Sequence, residues 1–276
     1  MTMAPIRGDG STRPAGVVVP PDRMPLLRRL RPLKRWRYLG VFGPDVMLCA
    51  AQVRVGGLPQ GFWAVWDRGA RTLAEQTVRR PGRVRIGPAT VSAPDLDLVL
   101  HHDGDAVDVV SPHGDSYIWT RKQPVRAVGW ARAGQDGRRI EVDARGIVDD
   151  SAGYHARRTS WRWSTGVGAL TDGRAVAWNL IDGLHDAHTG SERTLWVDGV
   201  ATEVAPVSFV DDLQGVRFRE GAALAFSSEA VRERHDDLLV FASSYRQPFG
   251  TFAGTLPGGL VLAEGFGVME THDVRW

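Results

Sequence analysis

The chain has 276 residues, 43% of them hydrophobic and 24% charged, with a formal net charge of +2. These are the proportions of a soluble globular protein with ample core material, in one large β domain or two of ordinary size, and the overall charge implies no partner. Cys49 is the single cysteine, which excludes an intramolecular disulfide and the cysteine-rich metal motifs.

Residues 1–24 are rich in Gly, Pro and Arg and lack the apolar stretch of a secretory signal, so they read as a disordered leader. No run approaches the ~18 apolar residues of a membrane helix, which predicts no stable membrane insertion and a cytoplasmic location. Arg23–Arg31 is a short basic helix candidate. It overlaps the cation-rich segment Arg28–Arg37, read as a solvated entry segment. No nucleic-acid partner is expected, because only Trp36 interleaves the cations and no known nucleic-acid module follows.

Short β-type runs then recur between turn signals: Trp36–Phe42, Val46–Val55, Gly61–Trp66, Leu96–His101, Ala106–Val110, Val125–Ala131 and Arg139–Val142. Cys49 lies in the second of these as a small buried residue. Thr159–Ser164, Arg174–Leu180, Thr194–Val197, Val216–Phe218, Ala222–Phe226, Leu238–Tyr245 and Gly267–Val274 follow. The separators (Gly-Gly-Leu-Pro, Asp-Gly-Asp, Gly-Gln-Asp-Gly, Thr-Asp-Gly) have hairpin chemistry. Ser228–Asp236, with a capping-type start, reads as a turn of surface helix. No long amphipathic helix alternates with the strands, which argues against a parallel α/β fold. The first 150 residues carry a net +7 and the remainder −5. This change, with the connection-like Arg145–Gly153 stretch, places a domain boundary near 148/149, dividing 25–148 from 149–276.

Asp149–Gly183 is the densest region. Alternation over Thr159–Ser164 puts Thr159, Trp161 and Trp163 on one strand face and Ser160, Arg162 and Ser164 on the other. A face with two tryptophans is either a core wall or the wall of an apolar pocket. Nearby stand Tyr154, His155, Arg158, Trp178 and the chain's one asparagine, Asn179. In the last strand Glu270 and His272 share a face. A carboxyl held beside indoles in poorly hydrated surroundings has a raised pKa and can donate a proton near neutrality. Indole faces can stabilise a cation formed on a substrate. The plainer reading is that Asp150 caps a turn, Glu270 pairs with an arginine and the tryptophans are core. His185, His188 and His272 would suit a metal only if the fold gathered them, and they read equally well as polar loop residues. No nucleophile-elbow, phosphate-loop or zinc-protease motif occurs. Gly166-Val167-Gly168 lacks the third glycine of a dinucleotide fingerprint, so neither cofactor nor metal is expected.

The pattern Asp149-x-Ser151-x-Gly153-Tyr154, Arg157-x-Thr159-x-Trp161-x-Trp163-x-x-Gly166-x-Gly168, Trp178-Asn179-Leu180-x-x-Gly183 and Ser191-Glu192-Arg193-Thr194-x-Trp196-x-Asp198-Gly199 resembles domain of unknown function 2804. So does the ending, Tyr245–Phe252 and Gly267–His272. That family is distantly similar to the lipocalin-like carotenoid hydratase and tocopherol cyclase group. The resemblance implies an all-β fold of two packed lipocalin-like antiparallel barrel or sandwich domains with a pocket in or between them. It fixes no activity and no catalytic residue.

Three functions stay open. The first is binding of a small hydrophobic molecule (lipid-, isoprenoid- or polyketide-like). The second is acid-catalysed hydration, cyclisation or isomerisation of an alkene. Asp150 or Glu270 would be the acid and Tyr154 and His272 would assist, with Trp161, Trp163, Trp178, Asn179, Arg158 and His155 contacting the ligand. The third is a structural protein with a filled core. Oligomeric state is not legible.

Overall fold

The computed structural model of the chain describes residues 4–133, 137–238 and 241–276, apart from the side chain of Leu238. Three sequence readings fall partly outside these residues: the first three positions of the leader, the Gly-Gln-Asp-Gly turn, and residues 239–240 of the Leu238–Tyr245 strand.

The alternating runs build strands, and the strands form two large antiparallel sheets. In chain order the first half gives β1 (Ile6–Gly8), β2 (Leu27–Arg28), β3 (Arg31–Pro32), β4 (Lys34–Phe42), β5 (Val46–Val55), β6 (Leu58–Asp67) and β7 (Thr72–Val78). It continues with β8 (Arg85–Ile86), β9 (Thr90–Ala93), β10 (Leu96–His102), β11 (Val107–His113), β12 (Ser116–Arg132) and β13 (Arg139–Gly153). The second half gives β14 (Arg158–Leu170), β15 (Ala175–Asp182), β16 (Thr194–Val197), β17 (Val200–Glu203), β18 (Val207–Phe209), β19 (Gly215–Phe218), β20 (Ala223–Leu238), β21 (Phe241–Leu256) and β22 (Leu260–Arg275).

The first sheet runs β7-β6-β5-β4-β13-β12-β10-β9-β8, with β11 along the other part of β12 and β1 along β11. The second runs β17-β16-β15-β14-β22-β21-β20-β19-β18. Each sheet curls until its far strand returns over its middle, β8 over β5 and β4, and β18 over β15. Two-residue turns set register where the backbone needs positive φ: Gly56–Gly57 at 56° and 90°, and Asp198–Gly199 at 46° and 79°.

Curling gives each half its own core. Leu39, Leu48, Trp63 and Leu98 fill the first, and Trp178, Leu195, Phe226 and Phe252 the second. The opposite faces pack on each other through Tyr38, Phe42, Met47, Trp66, Trp163, Phe249 and Phe266, with Cys49 fully buried among them. Ion pairs cross this junction. Arg68 holds Glu229 at 2.7 Å, Lys122 holds Glu192 at 3.2 Å, and Arg232 reaches Glu75 at 3.1 Å. The first two match the opposite charge balances of the two halves.

Three readings change. Arg145–Gly153 is no connection: it is the second half of β13, and the chain leaves the first sheet after Gly153. Neither helix candidate is helical. Ser228–Asp236 lies inside β20 and Arg23–Arg31 ends in the β2–β3 hairpin. The placed part of the leader packs against the body, with β1 paired to β11 and Val19 and Met24 buried beside Tyr117 and Tyr154.

Candidate functional site

Period-two alternation decides what meets between the sheets. On the first sheet Tyr38 (β4), Asp149 (β13) and Lys122 (β12) are cross-strand neighbours, as are Trp36, Ser151 and Thr120 one step along. On the second, Trp163 of β14 lies opposite Glu270 of β22, and Trp161 opposite His272, which in turn neighbours Tyr245 of β21. These two faces border a cavity of about 190 Å³, whose wall also takes in Phe62, Ile181, Leu184, His185, Glu192 and Arg232. Arg234, Asp236 and Trp276 contribute further along it. Aromatic and aliphatic side chains supply most of its surface, and charged groups of both signs (Lys122, Asp149, Glu192, Arg232, Arg234, Asp236 and Glu270) stand among them.

Glu270 is its most unusual group. Oε1 accepts from Trp161 Nε1 and Oε2 from Gln247 Nε2, both at 2.8 Å. Both donors are neutral, and no ion pair reaches Glu270 among the described residues. Burial pushes its pKa up from 4.5 to about 7, partly opposed by those hydrogen bonds. The buried Tyr245 hydroxyl lies beside it. His272 shares a 2.9 Å hydrogen bond between Nε2 and Ser243 Oγ and packs edge-on to Trp161 at 4.4 Å. Burial lowers its pKa to about 4, so it is neutral at neutral pH.

A second polar group sits on the facing wall. Lys122 Nζ touches Asp149 Oδ1 at 2.7 Å and Glu192 Oε1 at 3.2 Å. Burial works against the lysine charge, but the two carboxyls more than offset it and hold its pKa above the ordinary value. Burial also raises Asp149, with Lys122 pulling the other way. Arg232 is almost fully buried, its guanidinium 3.9 Å from the Phe62 ring centre and 5.1 Å from that of Tyr245.

Of the expected site residues, the fold brings Glu270, His272, Trp161 and Trp163 to the cavity. It takes the others elsewhere. Asp150 faces the opposite side of the first sheet and pairs with Arg37 at 3.2 Å, because neighbouring residues in a strand point oppositely. Tyr154 donates to Pro25 O at 2.8 Å under the N-terminal segment. Trp178 is in the second half's own core, its N–H on Ser164 Oγ at 3.2 Å. Asn179 stands behind the wall, accepting from Trp163 Nε1 at 2.8 Å and donating to Glu192 O at 3.0 Å. Arg158 is exposed, and His155 is buried behind Trp36 at 5.0 Å. The three histidines do not gather: His188 is exposed beside Arg219, whereas His185 and His272 line the cavity. No cluster of three metal-ligating side chains occurs among the described residues. Sequence reasoning passed over Lys122, Glu192, Tyr38, Tyr245 and Arg232. One signal was available, a lone lysine in the otherwise strand-like Ser116–Val125 run.

The family model described as Domain of unknown function (DUF2804) matches residues 89–276. The chain belongs to that family. Among curated proteins none matches it. The DUF2804 chain is similar in structure to a candidate AttH protein from Nitrosomonas europaea. The two share 14% identity and a TM-score of 0.50 over 92% of this chain and 98% of the other. It is also similar to CghA (12%, TM-score 0.43, 99% and 98%) and to kievitone hydratase from Nectria haematococca (9%, TM-score 0.46, 86% and 88%). At these identities the first likeness speaks to the fold alone. No helix among the described residues is long and apolar enough to cross a membrane.

Proposed function

We propose that the inter-sheet cavity binds a small, mainly apolar molecule containing an alkene, and that Glu270 protonates it, making the protein a hydratase, cyclase or isomerase working by acid catalysis. The observation that carries this reading is a buried carboxyl in the wall of an indole-lined cavity, bonded to neutral donors, with its pKa near 7. A carboxylic acid in that state is about half protonated at neutral pH, and the protonated form surrenders its proton without first shedding a counter-ion.

The proton passes from the Glu270 carboxyl to one alkene carbon, leaving a carbocation on the other and a carboxylate behind. The faces of Trp36, Trp161 and Trp163 stabilise that cation. Attack by water with loss of a proton from its oxygen, closure onto a second double bond followed by loss of a proton from the new cation, or direct loss of a neighbouring proton completes the three outcomes, and in each the proton released returns to the Glu270 carboxylate. Neutral His272 braces Trp161 rather than competing for the proton.

Organic-solvent extraction of purified protein, read by mass spectrometry, tests the reading. The expected result is a reproducible apolar compound, held by both wild type and Glu270→Gln, into which only wild type introduces carbon-bound deuterium from D2O. Its retention without deuterium uptake by wild type leaves a binding protein. Failure of any apolar compound to bind leaves a structural one.

A further inference from the structure

Several buried polar atoms of the cavity-lining residues have no hydrogen-bond partner in the protein, Tyr38 Oη, Ser151 Oγ and Tyr245 Oη among them, and two of these atoms, His185 Nε2 and Glu192 Oε2, belong to one loop. Both loop residues are deeply buried, His185 at 6% exposure and Glu192 at 1%. Neither is adrift. His185 Nδ1 is fixed to Ser111 Oγ at 2.9 Å across the junction of the halves. Glu192 Oε1 is held by Lys122 Nζ at 3.2 Å and approached by Asn179 Nδ2 at 3.4 Å. The Glu192 backbone N–H donates to the His185 carbonyl at 3.1 Å, which closes the 185–192 loop and ties the two residues together. Each side chain is thus anchored by one polar atom and presents the other unpaired, in a place where an unmade hydrogen bond is costly.

We propose that His185 and Glu192 form a subsite for a hydroxyl group on the otherwise apolar ligand. This rests on the reading of the cavity as a small-molecule site. A hydroxyl fits the pair because it both accepts and donates. With Ser111 Oγ–H donating to Nδ1, the imidazole carries its proton on Nε2, which donates to the ligand oxygen. The ligand O–H then donates to Glu192 Oε2. Burial holds the imidazole pKa down to about 3, so the ring stays neutral across the physiological range and one of its nitrogens is free to donate. A bare hydrocarbon would leave both atoms unpaired, so the site discriminates for the alcohol or phenol. His185 and Glu192 are specificity residues, remote in role from the proton transfer at Glu270.

The test uses two rigid probes that differ by a single hydroxyl, 2-naphthol and naphthalene, with affinities measured by equilibrium dialysis at pH 7. Wild type is expected to bind 2-naphthol at least about tenfold more tightly, as a hydrogen bond to a charged acceptor allows. In His185→Phe and Glu192→Gln the preference should shrink towards unity, with naphthalene affinity retained. That retention also shows that the variants fold. Equal binding of both probes by wild type would overturn the hydroxyl subsite while leaving the cavity reading intact. Unchanged discrimination in both variants would also overturn it. Failure of both probes to bind wild type would remove the ligand cavity, and the subsite with it.

Discussion

The Trp161 indole N–H donates to Glu270 Oε1 at 2.8 Å, diagonally across adjoining strands β14 and β22. This bond favours the charged carboxylate and works against burial, which dominates. Replacing Trp161 with Phe keeps a ring in the wall and removes the donor. The Glu270 titration midpoint should rise further, by about one unit for a bond of this kind. A fall in midpoint, read from pH-dependent spectra of the labelled carboxyl, would mean that the indole is not what restrains it.

Glu270 also shapes stability. Its folded pKa of about 7 exceeds the ordinary 4.5, so the folded protein keeps a proton that the unfolded chain has released. The stabilising contribution is complete below the unfolded value and is lost as pH rises through the folded one. Glu270→Gln stays neutral throughout. Its stability relative to wild type should therefore climb by about 3 kcal/mol between pH 4 and pH 8. Urea unfolding of both proteins across that range measures the gap, and a constant gap refutes the shift.

Lys122 is the only cation touching the Asp149 and Glu192 carboxyls among the described ion pairs. Lys122→Met leaves two buried carboxyls uncompensated and should cost about 3–5 kcal/mol at pH 7. Asp149→Asn keeps the Lys122–Glu192 contact and should cost clearly less. Urea midpoints rank the two, and the reverse order would show that Asp149 is the dominant partner.

Asp150 and Trp178 lie on faces turned away from the cavity. Asp150→Asn and Trp178→Phe should leave 2-naphthol affinity within about twofold, although Trp178→Phe loses stability by about 1–3 kcal/mol through its packing on Phe252. Dialysis of the variants against wild type checks this. A tenfold loss in Asp150→Asn would place that carboxyl back in the site.

Much of the β architecture was legible because alternation and turn chemistry are local. Val46–Val55 and Thr194–Val197 coincide with β5 and β16, each closed by a Gly-containing two-residue turn. Ser228–Asp236 misled because its charges mimic a capped helix. In the fold Arg232, Arg234 and Asp236 alternate along β20 towards the cavity, and burial of one arginine hides the strand pattern. The choice between Asp149 and Asp150 was beyond sequence reasoning, since a one-residue slip in strand register exchanges the two faces. Lys122 and Glu192 are 70 positions apart, joined only when the two sheets pack. Glu270 and His272 were legible as a pair because one strand face carries both.

Glu270, titrating near 7 rather than near 4.5, keeps a large protonated fraction at neutral pH, and the proposed chemistry depends on it. The most direct measurement is a carbon-13 titration of glutamate side-chain carboxyls by NMR, with Glu270 assigned through Glu270→Gln. A resonance titrating with a midpoint near 7, absent from the variant, is the predicted result. A Glu270 midpoint at or below the ordinary 4.5 would contradict the claim and remove the proton donor from the proposed chemistry.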